Sequence, residues 1–201
     1  MAIAGIDGAG KSTLGHGLRR LYERELGPCV VAEQKDDFAI QMANAAAAKK
    51  RMTARQYFGN FPFDFAKSFD IVRDHFVRIE PLLQSGVSVI VPRSVECRVA
   101  LAMSRGSESI EKIASILDLI PRADVTIRLR IDPSIACTRV LLRGVDEESV
   151  EDLEALSKSL DEIQANRDDW IEVCAQSDKE DLLHQVSDLL FSRVRSLGIY
   201  A

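Results

Sequence analysis

Short apolar runs alternate along the chain with longer segments in which apolar residues recur at every third or fourth position. A short run bounded by turn residues is typical of a buried strand, whereas the wider spacing is typical of an amphipathic helix. The predicted strands cover residues 2–6, 29–32, 87–91, 125–131 and 170–174. Strands therefore alternate with helices, and this order predicts an α/β fold with parallel strands, right-handed crossovers and helices on both faces of the sheet.

Sequence signals at helix ends place the segments between these runs. The first helix ends at Gly27, which a proline follows, and Asp132 followed by Pro133 starts a later helix. Further helices are predicted over residues 36–55, 65–83, 110–120, 135–143, 150–163 and 179–197. Residues 57–65 are aromatic and contain Gly59 and Pro62, so they predict a loop.

Composition mainly excludes classes of protein. The 201 residues suit a single domain, because division into domains usually begins above about 250 residues. The net charge of −5 leaves no basic stripe of the kind that binds nucleic acid. There is no signal-peptide pattern and no stretch near the ~18 apolar residues of a spanning helix. The four cysteines and three histidines are scattered, without metal-ligand spacing. We therefore expect a cytoplasmic protein with no nucleic-acid and no membrane partner.

A phosphate-binding loop follows the first predicted strand. Residues 5–12 read G-I-D-G-A-G-K-S and fit G-x-x-x-x-G-K-[ST] without a gap. In such a loop the backbone N–H groups cradle a phosphate at the start of a helix. Lys11 is then placed to reach the β- and γ-phosphates of ATP, and the Ser12 hydroxyl to ligate Mg²⁺. The predicted ATP-binding residues here are Asp7, Gly8, Ala9, Gly10, Lys11, Ser12 and Thr13.

This loop resembles that of the thymidylate kinases, which are close relatives of the deoxynucleoside kinases. Residues 81–93, 123–144 and 171–190 are similar to further segments of the family. The resemblance implies a P-loop NTPase fold in one domain, residues 1–201, with a five-stranded parallel sheet. It also implies acceptor-binding helices at about 36–85, a helical lid at about 143–160 and a homodimer. The implied activity is ATP-dependent phosphorylation of a nucleoside monophosphate or a nucleoside.

The resemblance also assigns roles to individual residues. Arg93 would contact the acceptor or the transferring phosphoryl group, and Arg139 and Arg143 would contact ATP. Glu33 matches the acid that activates the acceptor hydroxyl in deoxynucleoside kinases. The catalytic residues expected on this basis are Lys11, Glu33, Arg93 and Arg143. Residues 175–179 would border the adenine.

Two departures from the family pattern affect the acceptor site. Pro92 stands where the relatives have an acid, and Ile71 stands where thymidylate kinases have an arginine. Arg73 could replace that arginine from the next turn. Glu33 and Arg93-Ser94 favour a hydroxyl acceptor, whereas the overall length favours a thymidylate kinase. An ATP-binding regulatory protein that has lost catalysis, and a P-loop kinase of a non-nucleoside metabolite, are the alternatives.

Aromatic residues cluster within the acceptor-binding segment. They lie within 13 residues of sequence and could form either core packing or a wall on which a base stacks. The cluster consists of Tyr57, Phe58, Phe61, Phe63, Phe65 and Phe69. Tyr57 and Phe65, together with Arg73, are predicted to bind the acceptor.

Overall fold

The computed structural model describes residues 1–33, 38–144, 148–167 and 169–196. Within these ranges, strands and helices alternate as the hydrophobic pattern predicts. The strands are β1 (Ala2–Ala4), β2 (Cys29–Val31), β3 (Ser88–Ile90), β4 (Thr126–Arg130) and β5 (Trp170–Cys174). The helices are α1 (Lys11–Glu25), α2 (Phe38–Ala48), α3 (Ala54–Phe58), α4 (Asn60–Asp74), α5 (Glu80–Gln84), α6 (Val95–Ser104), α7 (Ile110–Leu117), α8 (Pro133–Arg143), α9 (Val150–Gln164) and α10 (Lys179–Ser196). A π-helical turn, His75–Ile79, joins α4 to α5.

The strands pair in parallel, as expected, but the described residues do not form one five-stranded sheet. The main sheet has three strands in the order β1-β4-β5, and β2 pairs with β3 in a separate two-stranded sheet. A single bridge between Ala2 and Val91 connects the two sheets. The Ile3 amide donates to the Val91 carbonyl at 2.9 Å across this bridge. The prediction of five strands in one sheet was wrong because the contact of β3 with β1 lies just past the end of β3 and is too short to form a ladder.

The main core covers both faces of the three-stranded sheet. All three residues of β1 are buried, as are four consecutive residues of β4, Thr126 to Leu129. Because successive side chains of a strand point to opposite faces, both faces must be covered. Helix α1 packs against α10, and α9 packs against α6 and α8. This core fixes the carboxyl end of β1, from which the phosphate-binding loop leaves.

A second apolar cluster holds the helices beside the phosphate-binding loop. Ile71 and Val72 of α4 pack with Ala102, Ile113 and Leu117 of α6 and α7. Phe61 and Phe65 pack on the outside of this cluster. The acceptor-binding helices predicted from the family resemblance begin at residue 36, and residues 36–37 lie outside the described residues.

The loop predicted for residues 57–65 was wrong, since α3 and α4 occupy this segment. The Thr53 hydroxyl accepts from the Gln56 amide, and the Gln56 side chain accepts from the Thr53 amide, which caps α3. Gly59 turns the chain with φ +86°, and Pro62 stands in the first turn of α4, where it removes no helical hydrogen bond. The hydrophobic pattern also missed α6, which Ser94 caps by accepting from the Cys97 amide.

In the described ranges, no helix has the length and apolar character needed to cross a bilayer.

Candidate active site

The phosphate-binding loop turns sharply between β1 and α1. Gly8 has φ +83°, and a Cβ atom on it would lie 2.3 Å from the backbone oxygen of Ala136. Gly10, with φ +88°, precedes the first helical residue and has open space where a Cβ would stand. Without a side chain, Gly10 cannot cap α1, so the amides of the first turn remain available to an anion. The loop therefore has the backbone form that its sequence predicts.

Lys11 lies under this loop. Its ammonium group donates to the Ile6 carbonyl at 2.7 Å and pairs with Asp7 Oδ1 at 3.4 Å, and the side chain is only 7% exposed. Burial, and then the nearby Arg93 guanidinium, lower the pKa of Lys11 to about 8, although Asp7 acts in the opposite direction. Lys11 is therefore a desolvated cation whose charge is compensated mainly by the Asp7 carboxylate.

Asp7 connects the loop to the segment after β3. Arg93 donates to the same Asp7 oxygen that faces Lys11. Burial raises the pKa of the Asp7 carboxyl, but Lys11 and Arg93 together outweigh burial and lower it below the ordinary value. The two predicted catalytic cations are thus held together by one ionised carboxylate.

Ser12 and Glu33 form a second polar contact on this side of the loop. The Ser12 hydroxyl donates to Glu33 Oε1 at 3.3 Å. Glu33 follows β2, and Arg78, which is ion-paired with Asp74 at 2.7 Å, approaches the Glu33 carbonyl at 3.5 Å. A hydroxyl beside a carboxylate is a pair of oxygen donors of the kind that binds Mg²⁺.

A cavity of about 230 Å³ opens above the loop and collects these groups. Every residue predicted to be catalytic lines it, together with Pro92 and Arg98. Arg98 belongs to α6, and no motif in the sequence points to it. An isolated arginine in a segment that was not predicted to be helical carries no signal, so only the fold reveals its position.

A larger cavity of about 740 Å³ lies on the other side of the loop. It is lined by Arg139, Arg143, Ala175 and Lys179, residues that the family resemblance assigns to ATP or places beside the adenine. Arg139 donates to the Ala175 carbonyl at 3.1 Å. Both cavities share Gly8, Gly10, Thr13 and Arg143, so the loop connects them.

The remaining predicted acceptor residues lie elsewhere. Tyr57 is exposed and meets Phe58 edge-on at 4.8 Å, and Phe65 stacks on Phe61 at 5.3 Å. Arg73 lies on the exposed side of α4. Of the residues that the structure describes, these three are not among those lining the 230 Å³ cavity. The aromatic residues at 61 and 65 contribute to packing on the second cluster.

Comparison with known proteins shows which family the sequence matches. The sequence model of the family described as "Thymidylate kinase" matches residues 3–186. A probable thymidylate kinase of Pyrobaculum aerophilum is 31% identical over 144 residues, which cover 72% of this chain and 70% of that protein. A probable thymidylate kinase of Archaeoglobus fulgidus is 30% identical over 150 residues, again 72% and 70% of the two chains. A thymidylate kinase of Xanthomonas campestris is 27% identical over 146 residues, 72% of this chain and 61% of that one.

The phosphate-binding loop motif of this chain borders two cavities, and the sequence matches one family over nearly its whole length. The chain therefore belongs to the thymidylate kinase family, whose members are ATP-dependent kinases with a P-loop α/β fold.

Proposed function

We propose that this protein transfers the γ-phosphoryl group of ATP to thymidine 5′-monophosphate (dTMP). The observation that carries the proposal is that Lys11, Ser12, Glu33 and Arg93 line one cavity directly above the phosphate-binding loop. Family membership supports a nucleoside monophosphate as the acceptor, and the relatives named as thymidylate kinases support dTMP.

The two connected cavities suggest how the substrates are arranged. The adenosine of ATP occupies the 740 Å³ cavity near Arg139 and Ala175, and its phosphates cross the loop over Gly8 and Gly10. The acceptor enters the 230 Å³ cavity. Arg143 lines both cavities, which supports a position for it beside the phosphate that moves between them. Catalysis then rests on positioning and on charge stabilisation by these cations.

The donor set beside the loop fits Mg²⁺. Ser12 Oγ and Glu33 Oε1 lie 3.3 Å apart, and Mg²⁺ in phosphoryl-transfer sites takes few protein oxygens together with substrate phosphates. Mg²⁺ held by Ser12 and Glu33 would neutralise charge on the β- and γ-phosphates. Glu33 would thereby provide a carboxylate in place of the acid that the relatives have at the position of Pro92.

A monophosphate acceptor changes what Glu33 must do. The second pKa of a phosphate monoester is about 6, so the attacking oxygen is already charged near neutral pH and needs no general base. Glu33→Gln is therefore expected to raise the Mg²⁺ concentration required for half-maximal rate by about 10-fold, with an unchanged pH profile. Steady-state assays across Mg²⁺ concentration and pH measure both effects. Glu111→Gln, which changes an exposed glutamate of α7, serves as the matched control.

If Glu33 acts as a base towards a hydroxyl, the result differs. The variant then loses activity most at low pH, while its Mg²⁺ requirement remains that of the wild type.

The lowered pKa of Lys11 predicts how ATP binding depends on pH. As pH rises through about 8, Lys11 loses its proton, and the ATP affinity of the free protein falls by up to about tenfold per pH unit.

The stability of the folded protein changes with pH in the opposite direction. The ordinary pKa of 10.5 applies to the unfolded chain, which binds more protons between pH 8 and 10.5, so the free energy of unfolding rises with pH there.

Titration calorimetry of ATP binding between about pH 7 and pH 9.5 measures the affinity, and Lys11→Ala removes this pH dependence. An ATP affinity that stays constant across this range in the wild type would contradict the prediction.

The lid, at about residues 143–160, extends from the end of α8 into α9. Residues 145–147 lie outside the described residues. Burial, and then the nearby Asp7 carboxylate, raise the pKa of Glu148. The acidic lid thus begins close to the loop charges, which supports a part for it in enclosing the phosphates in the single kinase domain of residues 1–201.

Exposed apolar residues support the proposed homodimer. The helical run from α4 to α5 exposes Phe69, Phe76, Val77 and Leu83. Large apolar side chains clustered on one helical run are typical of a protein–protein contact. Sedimentation velocity of the wild type and of Phe76→Glu measures whether two copies associate through this run.

Acceptor-dependent ADP release tests the proposed activity. The assay contains ATP and Mg²⁺ with each common nucleoside or its 5′-monophosphate, and Lys11→Ala supplies the blank. We expect dTMP to give the highest kcat/KM. Higher kcat/KM for thymidine than for dTMP would indicate a nucleoside kinase. No turnover with any acceptor, with ATP still bound, would favour a regulatory protein or a kinase of a non-nucleoside metabolite.

A further inference from the structure

Glu33 stands just past the point where pairing with β3 holds the chain. The Ala32 amide, one residue beyond β2, donates to the Ile90 carbonyl at 2.9 Å. Glu33 follows directly, its side chain is exposed, and residues 34–37 lie outside the described residues. Strand pairing thus fixes the backbone as far as Ala32, and the backbone at Glu33 needs a further contact to hold its carboxylate in place.

A π-helical turn packs on this end of β2. The turn, His75–Ile79, is closed by a hydrogen bond that spans five residues instead of the four of an α-helix. Ile79 is 2% exposed and belongs to one apolar cluster with Ala32. The burial of Ile79 holds the turn against the end of the strand, and the neighbouring Arg78 therefore lies beside Glu33.

Arg78 bridges α4 and the end of the strand. Its Nη1 atom donates to Asp74 Oδ1 at 2.7 Å, one turn earlier in the helix, and approaches the Glu33 carbonyl oxygen at 3.5 Å. The Asp74 side chain is only 8% exposed, and a carboxylate buried to this extent needs a charged partner close to it. Because the guanidinium is rigid and planar, the position that Asp74 gives it also determines where its N–H groups face Glu33.

We propose that Arg78 is a positioning residue for the Mg²⁺ site, because it fixes the backbone at Glu33 so that the carboxylate faces the Ser12 hydroxyl. This inference rests on the proposed function, in which Ser12 and Glu33 hold Mg²⁺. Ser12 belongs to α1, which follows β1 of the main sheet, whereas Glu33 follows β2 of the two-stranded sheet. The 3.3 Å between the two oxygens thus depends on contacts between separate parts of the fold, and outer contacts of this kind change metal affinity when they are removed.

Titration calorimetry of ATP binding, with and without Mg²⁺, measures this role without phosphoryl transfer. In Arg78→Ala we expect Mg²⁺ to strengthen ATP binding about 3- to 10-fold less than in the wild type, with the ATP affinity in the absence of Mg²⁺ unchanged. Arg78→Lys should show a similar loss, because the shorter side chain keeps its single nitrogen on Asp74. Arg19→Ala is the matched control, since it breaks an exposed ion pair with Glu23, also four residues away, and should behave as the wild type.

A double variant distinguishes positioning from a general effect on the fold. If Arg78 acts through Glu33, then Arg78→Ala introduced into the Glu33→Gln protein should cause no further loss of Mg²⁺ dependence. Losses that add in the double variant, or wild-type Mg²⁺ dependence in Arg78→Ala, would overturn the proposal. If thermal unfolding shows that Arg78→Ala does not fold, Arg78→Lys, which keeps the ion pair with Asp74, takes its place in the same comparison.

The proposed activity is decided by a separate result. A wild type that binds ATP more tightly with Mg²⁺ but releases no ADP with dTMP would refute the kinase, while the calorimetric values still decide the role of Arg78. Mg²⁺ dependence of ATP binding that is unchanged in Glu33→Gln would refute the Mg²⁺ pair and, with it, the role of Arg78.

Discussion

Lys11→Ala is expected to lower kcat by about 100- to 1,000-fold. Lys11 is the buried cation of the phosphate-binding loop, 7% exposed, and it lies beside both Asp7 and the cavity. A fixed charge in such a desolvated site stabilises the transferring phosphoryl group far more than the same charge in water. Alanine removes that charge and leaves Arg93 as the partner of Asp7.

Steady-state assays at saturating ATP and dTMP measure the loss of kcat, and thermal unfolding shows whether the variant remains folded. Because Lys11 is desolvated, we expect its removal to change the melting temperature little. Lys112→Ala, which changes an exposed lysine of α7, should keep wild-type activity. More than a tenth of the wild-type kcat in Lys11→Ala would mean that another group stabilises the transfer.

Gly8→Ala is expected to lower the free energy of unfolding by about 2–5 kcal/mol and to abolish ATP binding. Two costs add at this position. The backbone has φ +83°, which an L-residue adopts only with strain, and the new Cβ would meet the Ala136 carbonyl at 2.3 Å. Relief of that contact requires the loop to move away from α8, which displaces the amides that face the phosphates.

Two other glycines provide matched controls. Gly106 has φ +65° and Gly10 has φ +88°, and a Cβ atom added at either position would meet open space. The control variants are therefore Gly106→Ala and Gly10→Ala. Each should cost only the backbone strain, about 1–2 kcal/mol. Chemical denaturation of the three variants measures the difference. A Gly8→Ala protein as stable as Gly106→Ala would show that the loop relaxes without cost.

The sequence predicted features that depend on neighbouring residues. The glycines and Lys11 of the phosphate-binding loop occupy fixed offsets, so the residues alone indicated the turn, the helix start and the phosphate site. The order of strands and helices was predicted from short apolar runs, which are typical of strands, and from apolar residues at every third or fourth position, which are typical of helices. The cap that Thr53 and Gln56 form on α3 was not predicted, because the aromatic residues that follow it, with Gly59 and Pro62, favoured a loop.

Features that depend on distant segments could not be predicted. The division of the sheet depends on how far β3 runs alongside β1, and a single bridge at Val91 is a property of register. Arg98 lies in the cavity because Ser94 starts α6 at that point and because α4 packs beside it. Arg73 was predicted because it could replace, from the next turn, the arginine that is absent at Ile71, and Tyr57 because it belongs to the aromatic cluster, but both side chains are exposed in the structure.

The carboxylate of Asp7 has a consequence for how nucleotide enters. Since it already holds Lys11 and Arg93, a phosphate that arrives must take these cations from an existing counter-ion. Binding is then an exchange of anions, and its free energy is the difference between two ion pairings. A simple anion such as chloride offers the cations little more than Asp7 does, whereas a triphosphate adds contacts to the loop amides. The protein therefore binds a nucleotide in preference to the simple anions of the surrounding solution.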